Sequence, residues 1–386
     1  MRFVIDALGI AKPGGSRTSV ISQLRSVFAL DSENLYTVVV DSWEESLARF
    51  PNVEQYVFRI PNRLAAHALA QVVIPTVAHL RKAALVHHTK NLCAIFAPCP
   101  FIVTIHDMTT LRLPWTQSWI DVTYWKTIER VMARRARLVL TPSENAKRDI
   151  CQYYGVQPYK VKVIPWAAAS IYRSGGDTKA DIAIRQRYGI HDRYVLFVGI
   201  LALKKNLPTL VRAFRILKRS KGYSGKLVVV GREYPQSREK SVRGLASELE
   251  LENDVVFTGP ARDEDLPAIY RGADVFAFPS LHEGFGIVLL EAMACGVPVV
   301  TSDSSSLPEV AGDAALLVRD YTEESAWAEA LHQALVDARL RSVMVERGLR
   351  RASDFSWEKV GQATLDSYLS VAQRSSVAKV VGDRAH

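Results

Sequence analysis

Short apolar runs without polar alternation recur along the whole chain, and they limit its fold more than any other feature. In the first half they fall at 2–7, 36–40, 84–88, 101–105 and 137–141; in the second, at 194–198, 226–230, 254–258, 274–278, 297–301 and 315–318. A strand with one wet face alternates apolar and polar residues. A run such as Leu227-Val-Val-Val230 does not, which is the pattern of a parallel strand buried on both faces. Segments with helical spacing lie between the runs, at 16–29, 119–136, 144–153, 206–220, 237–250 and 287–295. Strands and helices in alternation predict an α/β chain built on doubly wound parallel sheets. The 386 residues suffice for two such sheets. The break between them falls from Val163-Ile-Pro-Trp166 to Gly175-Gly176, and a new strand begins at Arg193. Near the end, Phe355-Ser-Trp-Glu358 opens an amphipathic helix with Val360, Leu365 and Leu369 spaced for burial, fraying from about 373.

Composition removes several classes of function. With 49 Lys/Arg against 40 Asp/Glu, neither an acidic disordered tail nor a fibrous chain fits. The four cysteines, Cys93, Cys99, Cys151 and Cys295, form no C-x-x-C, so a disulfide framework and zinc ribbons are excluded and a reducing cytosol is expected. The opening Met1-Arg-Phe-Val-Ile-Asp-Ala-Leu8 is interrupted too soon for a signal peptide and reads as a first strand. The stretch 64–80 carries His67, Gln71, Pro75 and His79, so it reads as a buried or interfacial helix rather than a membrane span. The basic surplus is uneven: residues 1–170 hold 20 Lys/Arg and 12 Asp/Glu, the remainder 29 and 28. No zinc finger, homeodomain or basic–aromatic RNA motif accompanies it, so no nucleic-acid partner is expected. An anionic membrane surface or a phosphate-bearing substrate fits the charge, so the expected place is the cytoplasm, with peripheral contact to the inner face of the membrane as one of the two readings. Arg130, Arg134 and Arg137 share one helical face downstream of Trp115, Trp119 and Trp125; this reads as a solvated basic face over packed tryptophans, with an anionic bilayer as the alternative.

Ligands of open parallel sheets bind outside the carboxyl ends of the strands. In the second half those ends lead into Gly199 with Lys204-Lys205-Asn206, Gly231-Arg232, Gly259-Pro260, and Pro279-Ser-Leu-His-Glu-Gly-Phe-Gly286. The last of these runs directly into a helix beginning at Ile287. Gly284 and Gly286 let a ligand approach the backbone, and the orphan N–H groups of the first helical turn suit a diphosphate. Lys205 supplies a point charge across the rim. Glu283 and Glu291 are eight residues apart, about 12 Å on a continuous helix, too far for the roughly 5–9.5 Å of a glycosidase pair. They fit two ends of one long ligand, a sugar ring and a ribose joined by a diphosphate. In the first half, the rim carries Gly14-Gly15, His87-His88-Thr89, His106-Asp107 and Ser143, the last also a candidate helix N-cap. Of the histidines, His106 stands where a cleft-facing residue belongs, and at least one of His87 and His88 packs inside.

Other signals point elsewhere. His282-Glu283 has no second histidine for a zinc motif, and neither a P-loop nor a G-x-G-x-x-G fingerprint occurs. Asp263-Glu-Asp265 reads as an N-cap with an acidic first turn rather than a metal-holding pair. No metal site is expected.

These residues resemble those of the retaining glycosyltransferases of family 4. The resemblance rests on Val255-Val-Phe-Thr-Gly259, Leu266-Pro-Ala-Ile-Tyr-Arg-Gly-Ala-Asp-Val275, Pro279-Ser-Leu-His-Glu-Gly-Phe-Gly286, Leu290-Glu-Ala-Met-Ala-Cys-Gly-Val-Pro-Val-Val300 and Ser305-Ser-Leu-Pro-Glu-Val-Ala-Gly312. Thr104-Ile-His-Asp107 and Thr141-Pro-Ser-Glu144 match more loosely. The resemblance implies two Rossmann-like domains facing across a cleft, the GT-B arrangement. The first spans 1–170 plus a returning helix in 359–386 and binds the acceptor; the second spans 171–358 and binds the nucleotide sugar. It also implies retention at the anomeric carbon and no metal or other cofactor. By position, Glu283 binds hydroxyls of the donor sugar, Phe285 and Gly286 offer backbone N–H groups, Glu291 holds the ribose, and Lys205 holds the diphosphate. Gly199, Arg232, Gly259 and Ile287 complete the donor side. His106 lies near the reacting centre, and Gly14, Gly15, Arg17 and Ser143 border acceptor and phosphate. One departure stands out: Ile200 occupies a position where many members carry arginine, with Lys204 or Arg17 as the replacement cation. The Lys-Lys-Asn-Leu sequence resembles a subgroup of mannosyltransferases in surface-polysaccharide assembly. The expected donor is GDP-mannose and the expected acceptor a lipid-linked or growing glycan. A nucleotide-sugar epimerase and a non-catalytic binding scaffold are the alternatives.

Overall fold

A computed structural model describes residues 1–10, 15–58, 63–90, 94–233 and 242–382. It divides into two compact units, residues 1–166 with 356–386, and residues 167–355.

The first unit is built on seven parallel strands: β1 (Arg2–Ala7), β2 (Leu35–Val40), β3 (Val53–Val57), β4 (Leu85–His88), β5 (Phe101–Thr104), β6 (Leu138–Thr141) and β7 (Val161–Val163). Their order in the sheet is β3-β2-β1-β4-β5-β6-β7. Successive residues of β1 feed opposite cores. Phe3, Ile5 and Ala7 join one buried cluster, with the helix Gly15–Leu30 and the C-terminal Val360, Tyr368 and Val371. Val4 and Leu8 join another, with Ile74, Met132, Ile150 and Tyr154. Both faces are therefore dry, as the unalternated apolar run requires.

The second unit holds β8 (Tyr194–Val198), β9 (Lys226–Val230), β10 (Val255–Gly259), β11 (Val275–Phe278), β12 (Val299–Ser302) and β13 (Ala315–Val318). The order is β10-β9-β8-β11-β12-β13, again parallel. In each sheet the winding reverses once, between β1 and β4 and between β8 and β11. That reversal is where an open α/β sheet presents its ligand crevice.

Several elements differ from the sequence expectation. β3 and β7 are edge strands not foreseen. Val53-Glu-Gln-Tyr-Val57 is polar because an edge strand meets solvent, and β7 is only three residues long. The linker region contains the helix Thr178–Arg187, capped by Asp177, whose carboxylate accepts from the N–H groups of Lys179 and Ala180. Residues 119–136 form not one helix but three joined segments: Trp119–Tyr124, a π-turn over Trp125–Glu129, and Arg130–Arg135. Of the tryptophans expected to pack beneath them, Trp125 does, while Trp115 and Trp119 are exposed. The helix expected over 237–250 is described as Val242–Glu248, and the C-terminal helix runs Trp357–Gly382 rather than fraying from 373. Asp265 takes the N-cap position of the helix Leu266–Arg271 but does not cap it. Its carboxylate is drawn to Arg187, Arg262 and the Tyr188 hydroxyl instead. No helix among the described residues is long and apolar enough to cross a membrane.

Candidate active site

At the reversal of the second sheet, the loop after β8 and the loop after β11 are stitched together. The carbonyl of Lys204 accepts from the N–H of Leu281 at 2.8 Å, and Ser280 Oγ lies 3.1 Å from it. Asn206, in the left-handed region at φ 51°, fixes the first loop by donating to the Tyr321 carbonyl and accepting from Thr209. This stitching delivers Lys205 to Glu283: Nζ lies 2.6 Å from Oε1 and 4.5 Å from the centre of the Phe278 ring. Ser280 donates to the same carboxylate oxygen at 2.5 Å, and Lys204 stands 4.0 Å from Oε2. Burial alone would raise the Glu283 pKa, but Lys205, Lys204 and these hydrogen bonds outweigh it and hold the carboxyl below its ordinary value. Glu283 is thus a buried anion.

Three serines after β12 clamp the Glu283 loop. Ser304 donates to the Leu281 carbonyl at 2.6 Å, Ser305 Oγ accepts from the Glu283 N–H at 2.9 Å, and Ser306 Oγ lies 3.0 Å from the carbonyls of both Glu283 and Phe285. Phe285 turns its ring inward against Phe355, at 5.9 Å between centroids. Gly286 has φ +96°, and a Cβ there would come within 2.6 Å of Leu307 Cδ2, so the turn into the helix Ile287–Ala294 requires glycine.

Glu291, on that helix, meets a different environment. Tyr270 donates to Oε2 at 2.9 Å, and Tyr172, whose ring packs on Tyr270, adds a second hydroxyl. Burial, assisted by Asp263 and opposed by the tyrosines, pushes its pKa up to about 7. The remaining glycines form the rim: Gly231 N–H donates to the Gly259 carbonyl, and Gly199 N–H to the Val230 carbonyl. Arg232 is exposed beside them, and Ile287 opens the helix.

On the first unit, the carboxyl ends of β1, β4 and β5 converge on Thr89. Its N–H and Oγ1 donate to the Asp6 carbonyl at 3.0 and 2.8 Å. Its own carbonyl lies 2.8 Å from His106 Nε2. A carbonyl can only accept, so Nε2 carries the proton and Nδ1 is left as a lone pair. Nδ1 is buried without a hydrogen-bond partner among the described residues, and Trp166 packs on the ring at 5.2 Å. Burial lowers the His106 pKa to about 4; Thr89 opposes and Lys90 assists. His106 is a neutral imidazole with one open acceptor.

His87 and His88 are interior. His87 bridges Tyr368 at 2.6 Å and Thr104 at 2.8 Å, and His88 pairs with Asp6 at 2.7 Å. Ser143 is buried as the N-cap of the helix Glu144–Tyr154, accepting from the Ala146 N–H. Arg17 donates to the Ile10 carbonyl and pairs with Glu44 at 2.5 Å. Gly15 begins the helix Gly15–Leu30, and Gly14 lies outside the described residues. Among the described residues no group of His, Cys, Asp and Glu is placed to hold a metal ion. Sequence reasoning put Thr89 and Ser280 on the rims but gave no role to them, to Phe278, to the two tyrosines or to the serine clamp. Only the clamp left a signal, a run of small polar residues directly after an apolar strand on the same rim.

Comparison with known proteins gives a consistent picture. Residues 181–351 match the family described as Glycosyl transferases group 1, and residues 27–167 match Glycosyltransferase Family 4. An O-antigen chain mannosyltransferase B of Escherichia coli is 31% identical over 268 residues, 69% of this chain and 69% of the relative. A D-inositol 3-phosphate glycosyltransferase of Corynebacterium aurimucosum is 33% identical over 235 residues, 59% of this chain and 56% of the relative. Among solved structures, a sucrose-phosphate synthase of Thermosynechococcus elongatus superposes with TM-score 0.80 at 20% identity, covering 97% of this chain and all 100% of that one. Anabaena HepE, in complex with UDP and glucose, superposes with TM-score 0.77 at 21% identity, covering 96% and 100%. At such identities the structures speak for the fold.

Proposed function

The chain belongs to glycosyltransferase family 4, and on that premise we propose that it moves mannose from GDP-mannose to a lipid-linked or growing polysaccharide acceptor. The observation that carries the reading is the Lys205–Glu283 pair at the sheet reversal, beside a helix N-terminus. The pair holds a cation where a diphosphate would arrive and a buried carboxylate where sugar hydroxyls would bind. Mannose is favoured over other hexoses by the O-antigen mannosyltransferase relative and by the Lys204-Lys205-Asn206-Leu207 loop.

The donor displaces Glu283 as the partner of Lys205. Its diphosphate takes Lys205 and the first-turn N–H groups at Ile287, and Glu283 turns to hydroxyls of the sugar. As the bond between anomeric carbon and diphosphate oxygen breaks, negative charge grows on the departing phosphate, where these donors are already aimed. The acceptor oxygen bonds to the same face of the sugar, and its proton passes to the departing phosphate. His106 serves the reaction as a neutral imidazole and transfers no proton. Glu291 receives a ribose hydroxyl. Lys204 stands in for the cation that Ile200 does not supply.

A panel of GDP-, UDP- and dTDP-sugars, assayed for released nucleotide with and without a lipid-linked glycan, tests this. Release that needs both GDP-mannose and acceptor is expected. Donor conversion without acceptor would indicate an epimerase, and binding without turnover a scaffold. Glu283→Ala should lower kcat/KM at least about a hundredfold with the circular dichroism spectrum unchanged; full transfer by that variant removes the site.

A further inference from the structure

Residues 279–286, between β11 and the helix Ile287–Ala294, lie in no helix or strand, so no ladder of main-chain hydrogen bonds fixes Glu283. Side chains do this instead. Ser305 Oγ accepts from the Glu283 N–H at 2.9 Å, and the adjacent Ser306 Oγ lies 3.0 Å from the Glu283 carbonyl. The peptide groups on both sides of the Glu283 Cα are thereby held, which sets the direction of its side chain. The turn that presents the two serines is itself unusual. Leu307 donates its N–H to the Ser304 carbonyl at 3.1 Å, with Ser305 at φ 53° and Ser306 at φ −83°, ψ −8° between them. Those signs are the signs of a type II′ turn, whose first central position belongs to glycine. Among the described residues, Lys82, Asn206 and Glu250 are the other non-glycine residues at positive φ, and each closes a helical segment, where a left-handed residue is an ordinary ending. Ser305 closes none; it stands between β12 and the helix Leu307–Ala311. Glycine would relieve the backbone there but would bring no hydroxyl to Glu283.

We propose that Ser305, with Ser306 beside it, is a positioning residue for the transfer step: it aims the Glu283 carboxylate at the donor sugar. Lys205 at 2.6 Å and Ser280 hold the carboxylate itself. A diphosphate that takes Lys205 removes one of those holds as the sugar arrives. Ser305 and Ser306 bond the backbone of Glu283 and not its carboxylate, so they keep their grip when the carboxylate changes partner. A group that must meet a sugar hydroxyl to within about 0.5 Å needs such support, because small misplacements cost large factors in rate. The inference rests on the reading that Glu283 binds hydroxyls of the donor sugar.

Steady-state transfer by the full chain carrying Ser305→Gly or Ser305→Ala tests it, beside GDP affinity and melting temperature. Both variants lose the hydroxyl; only glycine also relaxes the turn. Each should lower kcat with GDP-mannose at least about tenfold, yet bind GDP, which carries no sugar, as wild type does. Ser305→Gly should not melt below wild type, since the strained position suits glycine. Added to Glu283→Ala, Ser305→Gly should lower the rate no further, because the two changes remove one function. A wild-type kcat in Ser305→Gly, a loss confined to Ser305→Ala, GDP affinity or melting temperature lowered in step with kcat, or effects that multiply in the double variant would each overturn the proposal. If the chain turns over another sugar of the donor panel instead, the same comparison is made with that sugar and its nucleoside diphosphate. Inactive Glu283→Ala beside fully active Ser305→Gly would remove this inference and leave the functional reading standing. Full transfer by Glu283→Ala would remove the reading itself, and the role of Ser305 with it.

Discussion

Glu283 and Glu291 sit on one loop and the helix that follows it, yet their surroundings drive their protons in opposite directions. Two lysines hold Glu283 ionised, and burial among tyrosines raises Glu291 to about 7. A carboxyl whose folded pKa is raised binds its proton more tightly when folded. The contribution of this group to stability therefore falls as pH rises from the ordinary value through the folded one, and is gone above it. Glu291→Gln removes that dependence. The variant should match wild type near about pH 4 and exceed it by up to about 3 kcal/mol near about pH 8, as read from urea denaturation. At Glu283 the test is Ser280→Ala. Loss of that hydrogen bond should move the acid limb of donor kcat/KM to higher pH and leave affinity for free nucleotide unchanged. An unmoved limb would mean that Lys205 alone fixes the carboxylate.

At the scale of elements, the glycine rim depends on how closely the strand ends approach one another. A Cβ on Gly231 would lie 1.9 Å from the Gly199 carbonyl oxygen, at a backbone φ of +144°. β8 and β9 would have to part for any side chain to enter. Gly231→Ala should cost about 3 kcal/mol and lower the melting temperature, with weaker nucleotide binding. Gly259, where a Cβ would meet nothing within 4 Å, is the control for space, though its φ of +71° strains it. The glycines on this rim were legible as a row after successive strands. Which of them tolerates no side chain was not, because the clash is with a residue 32 positions earlier in sequence, just past the end of β8.

For the molecule as a whole, the C-terminal helix belongs to the first unit. Tyr368 is buried there, packs on Phe3 and bonds His87, and Gln23 reaches across to Thr364 at 2.9 Å. Each unit has its own core, so denaturant should unfold them in separable transitions. Tyr368→Ala should destabilise the first by about 3–5 kcal/mol and leave the second in place, as followed by tryptophan fluorescence. A common shift of both transitions would show that the units unfold together.

The sequence by itself determined the two doubly wound sheets, because apolar runs and helical spacing are local patterns that record which faces are dry. It also placed the glycine rim and Glu283-Gly-Phe-Gly286, whose chemistry is written in consecutive residues. Edge strands escaped it: β3 is too polar and β7 too short to carry the buried-strand pattern. Only the tertiary structure decided that Lys205 pairs with Glu283 across 78 residues, that the Thr89 carbonyl sets the tautomer of His106, and that Trp119 faces outward while Trp125 faces in. Pairing, protonation and exposure depend on neighbours that are distant along the chain, and those neighbours exist only once the strands have been laid side by side.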